Sequence, residues 1–422
     1  MKHCVSLLWI LIFIAAPGLL QAHPFDRDTT STQNQFEDAV KVYLDCDHCD
    51  EGYIKTHIKF VDYVRDQTDS EVHLMITSVH TASGGREYTL KFLGRKKFAN
   101  QNDTLKYIAN ETDTRAKERR GLMNKIKMGL IPYISNTTLA NFIQIKYNGD
   151  GKAHKQRNSD PWNHWVFDID AGTYLSGEKT RDHLSSWGSV SAERVTSAWK
   201  IRFRFNGNYQ HDKYEFSDGT SQTTHKNSES YHSLIAKSIT PHWSVGVFSN
   251  AYSSTYRNID FAAGLSPALE FNIFPYSEYS QHELSFLYRV TPNYNNYTTE
   301  TIFNKTSEML LDEQLSIHFD LTQPWGEIRS RIRGSHFFND FSKNRLDFNS
   351  SFNIQVYRGL SVRFSGRYSL INDQISLSKE DVSDDEVLLN LRQQATSYSF
   401  GASVGLSYTF GSIYNNTVNP RF

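Results

Sequence analysis

The sequence predicts a two-domain α+β protein: a small periplasmic α/β domain followed by an antiparallel transmembrane β-barrel of about twelve strands in an outer membrane. Three observations carry this. First, long stretches near the C-terminus alternate apolar and polar residues. Leu360, Val362, Phe364, Gly366, Tyr368 and Leu370 interleave with Ser361, Arg363, Ser365, Arg367 and Ser369. Phe400, Ala402, Val404, Leu406, Tyr408 and Phe410 interleave with serines, glycines and a threonine in the same way. Side chains of a strand point to opposite faces with period two, so each stretch has one apolar and one polar face. Second, Lys2 and His3, the apolar run Val5 to Ala16 and then Leu20-Gln21-Ala22 have the order of a cleavable signal peptide. Third, no later run reaches the roughly eighteen apolar residues of a membrane helix, yet the chain holds 27 Phe, 23 Tyr and 7 Trp. A membrane-spanning chain without such runs has only the closed barrel available to it.

In chain order, residues 1–22 are read as the signal and 23–37 as a flexible, aperiodic leader. Residues 38–148 form the α/β domain. An apolar run from Ala39 to Leu44 is a strand, and Ile54, Ile58, Val61 and Val64 recur at helical spacing. Val72, Leu74 and Ile76 alternate, Ser83-Gly84-Gly85 turns the chain, and Tyr88, Leu90 and Phe92 alternate again as a hairpin partner. Thr112 to Thr114 offers N-cap chemistry for a helix with the stripe Leu122, Ile126 and Leu130, expected to stop near Pro132. Phe142, Ile143 and Ile145 would close the domain as a strand. Residues 149–161, polar and charged, are the linker, and 162–422 the barrel.

Within the barrel region, clear alternation begins at Trp165, Trp199, Phe261, Leu284 and Leu315, and weaker runs near 185–194, 226–239, 243–256 and 328–338 bring the count to about twelve. Connections near 238–243, 322–326 and 357–360 are short, whereas 215–225, 292–304 and 378–394 are long and polar. Barrels keep short turns in the periplasm, so the α/β domain, ahead of the first strand, is expected there. Trp165, Trp199, Trp243 and Trp325 lie near the short turns, where an interfacial aromatic belt is expected.

If the apolar face meets lipid, the other face lines a lumen. Lys200, Arg202, Arg204, Arg329, Arg331, Arg333, Arg363 and Arg367 fall on it, as do Asp168, Asp170, Glu270, Asp320, Glu327 and Asp347. Two consequences compete: a basic ladder selecting anions, or a lumen braced by ion pairs and closed to solutes. In an exported chain Cys46 and Cys49 default to a local disulfide. The alternatives are a redox pair, opposed by the flanking Asp45, Asp47 and Asp50, and a metal site, which lacks a second Cys/His pair. A barrel-embedded hydrolase would need a nucleophile and a base together; there is no G-x-S-x-G, and His232, His242, His282, His318 and His336 are scattered. The basic run Arg115 to Lys127 is expected to be a solvated helix face, with docking of a periplasmic protein or cell-wall polymer as the alternative.

The tail Leu406-Ser407-Tyr408-Thr409-Phe410-Gly411-Ser412-Ile413-Tyr414, closing with Asn419-Pro420-Arg421-Phe422, resembles that of an uncharacterised family of Gram-negative outer-membrane β-barrel proteins. So do Phe60-Val61-Asp62-Tyr63-Val64-Arg65-Asp66 and Ser83-Gly84-Gly85-Arg86-Glu87-Tyr88-Thr89-Leu90. The region Ser244 to Val290 is similar to salt-induced outer-membrane-protein barrels, and the N-terminal element order resembles the N-terminal domain of TolB, which implies a periplasmic contact role. The aromatic C-terminus resembles the barrel-insertion signal, implying the barrel-assembly machinery as a partner during insertion.

The expected function is a structural or binding component of the envelope, or a narrow solute channel, with an anion-selective porin and a barrel-embedded hydrolase as alternatives. No catalytic residue, metal or cofactor is assigned. Lipid is the expected partner and nucleic acid is not, since 45 basic residues balance 46 acidic ones.

Overall fold

The computed structural model describes residues 39–46, 48–81, 84–145, 161–216, 218–279, 281–380 and 392–414. The expected signal, leader, residues 149–160 of the linker and the tail beyond Tyr414 lie outside the described residues. Asp38–Phe422 is one compact unit, containing both a small and a large sheet.

In the small sheet, β1 (Lys41–Cys46), β2 (Asp62–Val64), β3 (Val72–His80), β4 (Arg86–Gly94) and β5 (Asn102–Ala109) lie in the order β2-β1-β3-β4-β5. β1 is parallel to β2 and β3, and the rest is antiparallel. Helices α1 (Glu51–His57) and α2 (Arg115–Ile134) contribute to the core. Asp50 caps α1 by accepting from Tyr53 N at 2.8 Å, which satisfies an otherwise orphaned helix amide. Ile54, Ile58, Leu122, Ile126 and Leu130 bury against Val42, Val72, Leu74, Leu90 and Phe92.

Four expectations are corrected here. The helical run ends at His57, because Val61 and Val64 serve the sheet around β2. β5 was not anticipated: it is an edge strand whose outer positions are polar, leaving little alternation to read. α2 continues through Pro132 to Ile134, since a proline in the last turn forfeits only one ladder bond. Residues 142–145 are not a strand; a 3₁₀ turn covers Thr138–Phe142, and Phe142 and Ile145 are exposed.

The large sheet has twelve strands in strict sequential, antiparallel order: β6 (Trp165–Glu178), β7 (Arg181–Val195), β8 (Trp199–Glu215), β9 (Ser221–Ser238), β10 (Trp243–Ser254), β11 (Ile259–Asn272), β12 (His282–Tyr297), β13 (Ser307–Gln323), β14 (Gly326–Phe337), β15 (Asp340–Tyr357), β16 (Leu360–Ile371) and β17 (Tyr398–Tyr408). Every weak run of the sequence is a strand. Loop lengths are corrected: β8 and β9 pair out to Glu215 and Ser221, and β12 takes in Pro292 to Tyr297, so these two expected long loops shrink. The length parity is thus weaker than expected, for 179–180 and 338–339 are also short while 273–281 carries a 3₁₀ turn. The tryptophans hold to one end: Trp165, Trp199 and Trp243 begin β6, β8 and β10, and Trp325 sits in the β13–β14 turn.

Closure into a barrel is not detected. Among the described residues β6 and β17 form the two edges of the sheet and are not paired with each other. The sheet is nevertheless rolled. Asn258, between β10 and β11, donates to Ser376 O at 3.0 Å, beyond the end of β16. In a flat sheet, five strand spacings would separate β11 from β16 by roughly 24 Å.

Candidate functional site: the charged face and its covers

Strand register sorts the side chains. Lys200, Arg202 and Arg204 share a face with Glu193 and Ser191 of β7, and with Leu234 and His232 of β9. Arg329, Arg331 and Arg333 share it with Asp320, His318 and Ser316, and with Ser351, Asn349 and Asp347. Arg363 and Arg367 oppose Asn353 and Asn349 on one side and Gly405 and Gly401 on the other. Asp168 and Asp170 lie on the same face of β6, opposite Ser191 and Ser189, and Glu270 lies opposite Ser244 and Leu287. The fourteen charged candidates therefore occupy one face, divided by environment.

Part of that face is ion-paired. Arg202 grips Glu193 with two nitrogens, at 2.6 and 3.1 Å. Asp347, 5% exposed, accepts from Arg333 at 2.8 Å, Arg345 at 3.0 Å and Ser369 at 2.7 Å. Arg329 pairs with Glu327. The face is thus ion-paired at Arg202, Arg329 and Arg333, and carries Arg204, Arg331, Arg363 and Arg367 without an ion pair among the described residues.

Several members went unforeseen. Asp212, 2% exposed, accepts from Arg181 at 2.8 Å, His183 at 2.7 Å and Gln210 at 2.7 Å. Arg289 reaches Gln314 at 2.6 Å and stacks 5.4 Å over Phe248. Arg289 breaks an apolar run, a signal the sequence does carry. Asp212 sits in a polar stretch that carries none.

The tryptophan-rich end is covered by the small sheet. Asp66 bridges the two: its Oδ2 accepts from Gly359 N at 2.8 Å and Gln355 Nε2 at 2.9 Å, while its Oδ1 accepts from Thr68 N at 2.9 Å and Thr68 Oγ1 at 2.7 Å. Arg358 Nη2 meets Asp69 at 2.7 Å, and Arg65 donates to the carbonyls of Phe410 and Gly411. The chain after β17 then joins the edge of the small sheet. Arg65 N donates to Ile413 O at 2.8 Å, and Val64 bridges Tyr414. Burial would raise the Asp66 pKa, but the hydrogen bonds from Thr68 and Gly359 and the nearby Arg358 outweigh it, holding the carboxyl below the usual Asp range.

The opposite end is crossed by the connection between β16 and β17. Asn258, in the left-handed conformation with φ 58°, donates to Thr299 O and Ser376 O, and accepts from Thr299 N and Oγ1. Thr301 bridges Ser378, Ile302 N donates to Leu377 O at 2.9 Å, and Gln393 N to Tyr256 O at 3.0 Å. Residues 381–391 of this connection lie outside the described residues. Between the tip of the β3–β4 hairpin and the charged face is a cavity of about 990 Å³, whose wall includes His80, Glu87, Lys200, Arg204, Glu270 and Glu283.

Cys46 and Cys49 are joined by a disulfide at the end of β1. Among the described residues no group of three or more His, Cys, Asp or Glu could hold a metal, and no helix is long and apolar enough to cross a membrane.

No family model matches the chain, and no curated protein does. Among solved structures it is similar to the NanC porin, at 10% identity and a TM-score of 0.28, over 57% of this chain and 99% of the porin. It is also similar to the translocator domain of the autotransporter NalP from Neisseria meningitidis, at 10% identity and a TM-score of 0.17, over 58% of this chain and 81% of that domain. Scores this low bear on neither closure nor function.

Proposed function

We propose that the chain is an outer-membrane β-barrel whose α/β domain plugs the periplasmic mouth, serving as a structural or binding component of the envelope. The observation that carries this is the second face of the large sheet. Phe205, Leu265, Leu315 and Leu346, on strands paired on both sides, are between 41% and 56% exposed, and the apolar positions recur on that face along strand after strand. An apolar surface of that extent is untenable in water and is what lipid requires. Strands of 11 to 18 residues meet or exceed the 9–11 needed to cross a bilayer. Trp199, Trp243 and Trp325, about 40% exposed at one end, suit the membrane interface.

Docking of the α/β domain on the β15–β16 turn supports its periplasmic placement, since the longest connection, 372–397, lies at the opposite end and barrels carry their long loops outside. The two covers favour a resting lumen closed at both ends over an open pore, and the reading assigns no catalytic group. A second reading is anion passage once a cover lifts, favoured by Arg331 and Arg367, which have no ion pair among the described residues.

Fractionation and heat-modifiable gel migration test the location: an outer-membrane, heat-modifiable band is expected, and a soluble periplasmic monomer refutes it. Planar-bilayer recording tests the lumen. The resting protein is expected to be near silent, and a steady large conductance refutes the closed state.

A further inference from the structure

We infer that β6 and β17 are each other's partner, and that their seam is set in register by Arg363 reaching over Gly405 to Asp170. The inference rests on the barrel reading above and specifies how that barrel closes.

Paired residues can be followed around the sheet. From Val195 of β7, one residue past the Trp165–Arg194 pair, the row runs through Ala236, Ala268 and Ser335 to Ile371 of β16, whose N–H donates to Ser397 O at 2.9 Å. A row leaving the foot of β6 therefore arrives at the head of β17, and closure must absorb that stagger. For twelve strands tilted about 35–45°, about 4.8 Å apart with about 3.3 Å per residue, the stagger is roughly 12 to 17 residues. Only even values keep polar faces together.

A stagger of about 14, near the middle of that range, is the value that fits the side chains. It sets Ile169 against Leu406, Ala171 against Val404 and Leu175 against Phe400 on the apolar face. On the polar face it sets Tyr174 against Gly401 and Asp170 against Gly405. A stagger two residues smaller would set Gly172 against Gly401 and leave a hole where Tyr174 now fits. Gly405 already pairs with Arg363, so Asp170, Gly405 and Arg363 fall in one row with no side chain in the middle to separate the charges. Both charged groups are exposed, and neither has an ion pair among the described residues. Each is supplied with a partner by the same closure that pairs the two edges, which otherwise invite aggregation.

The test uses the full chain carrying Cys46→Ser and Cys49→Ser. Leu406→Cys is combined in turn with Phe167→Cys, Ile169→Cys and Ala171→Cys and oxidised in outer membranes. Cross-linking within one chain is expected to peak at position 169, at least several-fold above 167 and 171. A peak at 167 or 171 overturns the register while leaving the barrel standing. Absence of a bond within the chain at all three positions, or disulfide dimers in its place, overturns closure and with it the barrel. Without added cysteines, Arg363→Glu should lower the midpoint of heat modification, and adding Asp170→Arg should restore it. An unchanged midpoint in Arg363→Glu overturns the ion pair.

Discussion

Asp66 is the residue on which docking of the α/β domain is expected to turn. It is 3% exposed and accepts four hydrogen bonds, two of which cross to the large sheet, one from Gln355 of β15 and one from Gly359 in the β15–β16 turn. A hydrogen bond to a charged group contributes about 1.5–3 kcal/mol, and a buried donor left without a partner costs about 1–3 kcal/mol. With the lower figure for each crossing bond, Asp66→Ala should weaken docking by about 3 kcal/mol, a shift of roughly 100-fold in the undocked population. Hydrogen exchange of the peptide spanning 355–361 reads this directly, because Gly359 N–H is protected by the carboxylate itself. Asp66→Asn, which turns a donor toward donors, should come close to the alanine variant. The pH dependence follows from the lowered pKa. A carboxylate whose folded pKa is depressed stabilises the docked state fully above its unfolded value of about 3.9, and this contribution is lost as pH falls through the lower folded value. Protection should therefore be flat from pH 7 to about 5 and decline only below about 4. Wild-type exchange at 355–361 in Asp66→Ala, with the α/β domain still folded, would refute the latch.

Three further outcomes follow. Gly129→Ala puts a Cβ 2.1 Å from the Phe92 ring on a buried helix face, so the α/β domain should lose about 1–3 kcal/mol in urea denaturation. Asp347→Ala strips Arg333 and Arg345, both partly open to solvent, of their shared carboxylate and should cost about 1–3 kcal/mol, seen as a lower temperature of heat modification. Asn258→Ala removes four hydrogen bonds and a residue suited to positive φ. Protease cleavage between 372 and 397 should become faster, and any conductance more frequent.

What the sequence reveals depends on whether a residue's neighbours are local. β16 and β17 are legible because each places an apolar residue at every second position, and nothing distant is needed to see it. β9 is barely legible: from Ser221 to Glu229 both faces are polar, so the period disappears although the pairing with β8 continues. β5 fails for the same reason at the edge of the small sheet. The charged face behaves likewise. Alternation alone assigns Arg202, Arg333 and Arg363 to one face, but only register distinguishes them. Glu193 stands directly across from Arg202 and Asp347 from Arg333, whereas Arg363 has glycine on one side and asparagine on the other.

The tail shows the limit most clearly. Ile413 and Tyr414 have no pattern of their own, yet they meet Val64 and Arg65 nearly 350 positions earlier. The stretch Asp62-Tyr63-Val64-Arg65-Asp66 therefore has two duties. Its first half is the β2 edge that receives the tail, and its last residue accepts from the β15–β16 turn. One short segment thus fastens the α/β domain to three of the last strands of the sheet. Any motion that lifts the α/β domain from this end of the sheet must break both attachments together, which makes Asp66 and the tail a single latch.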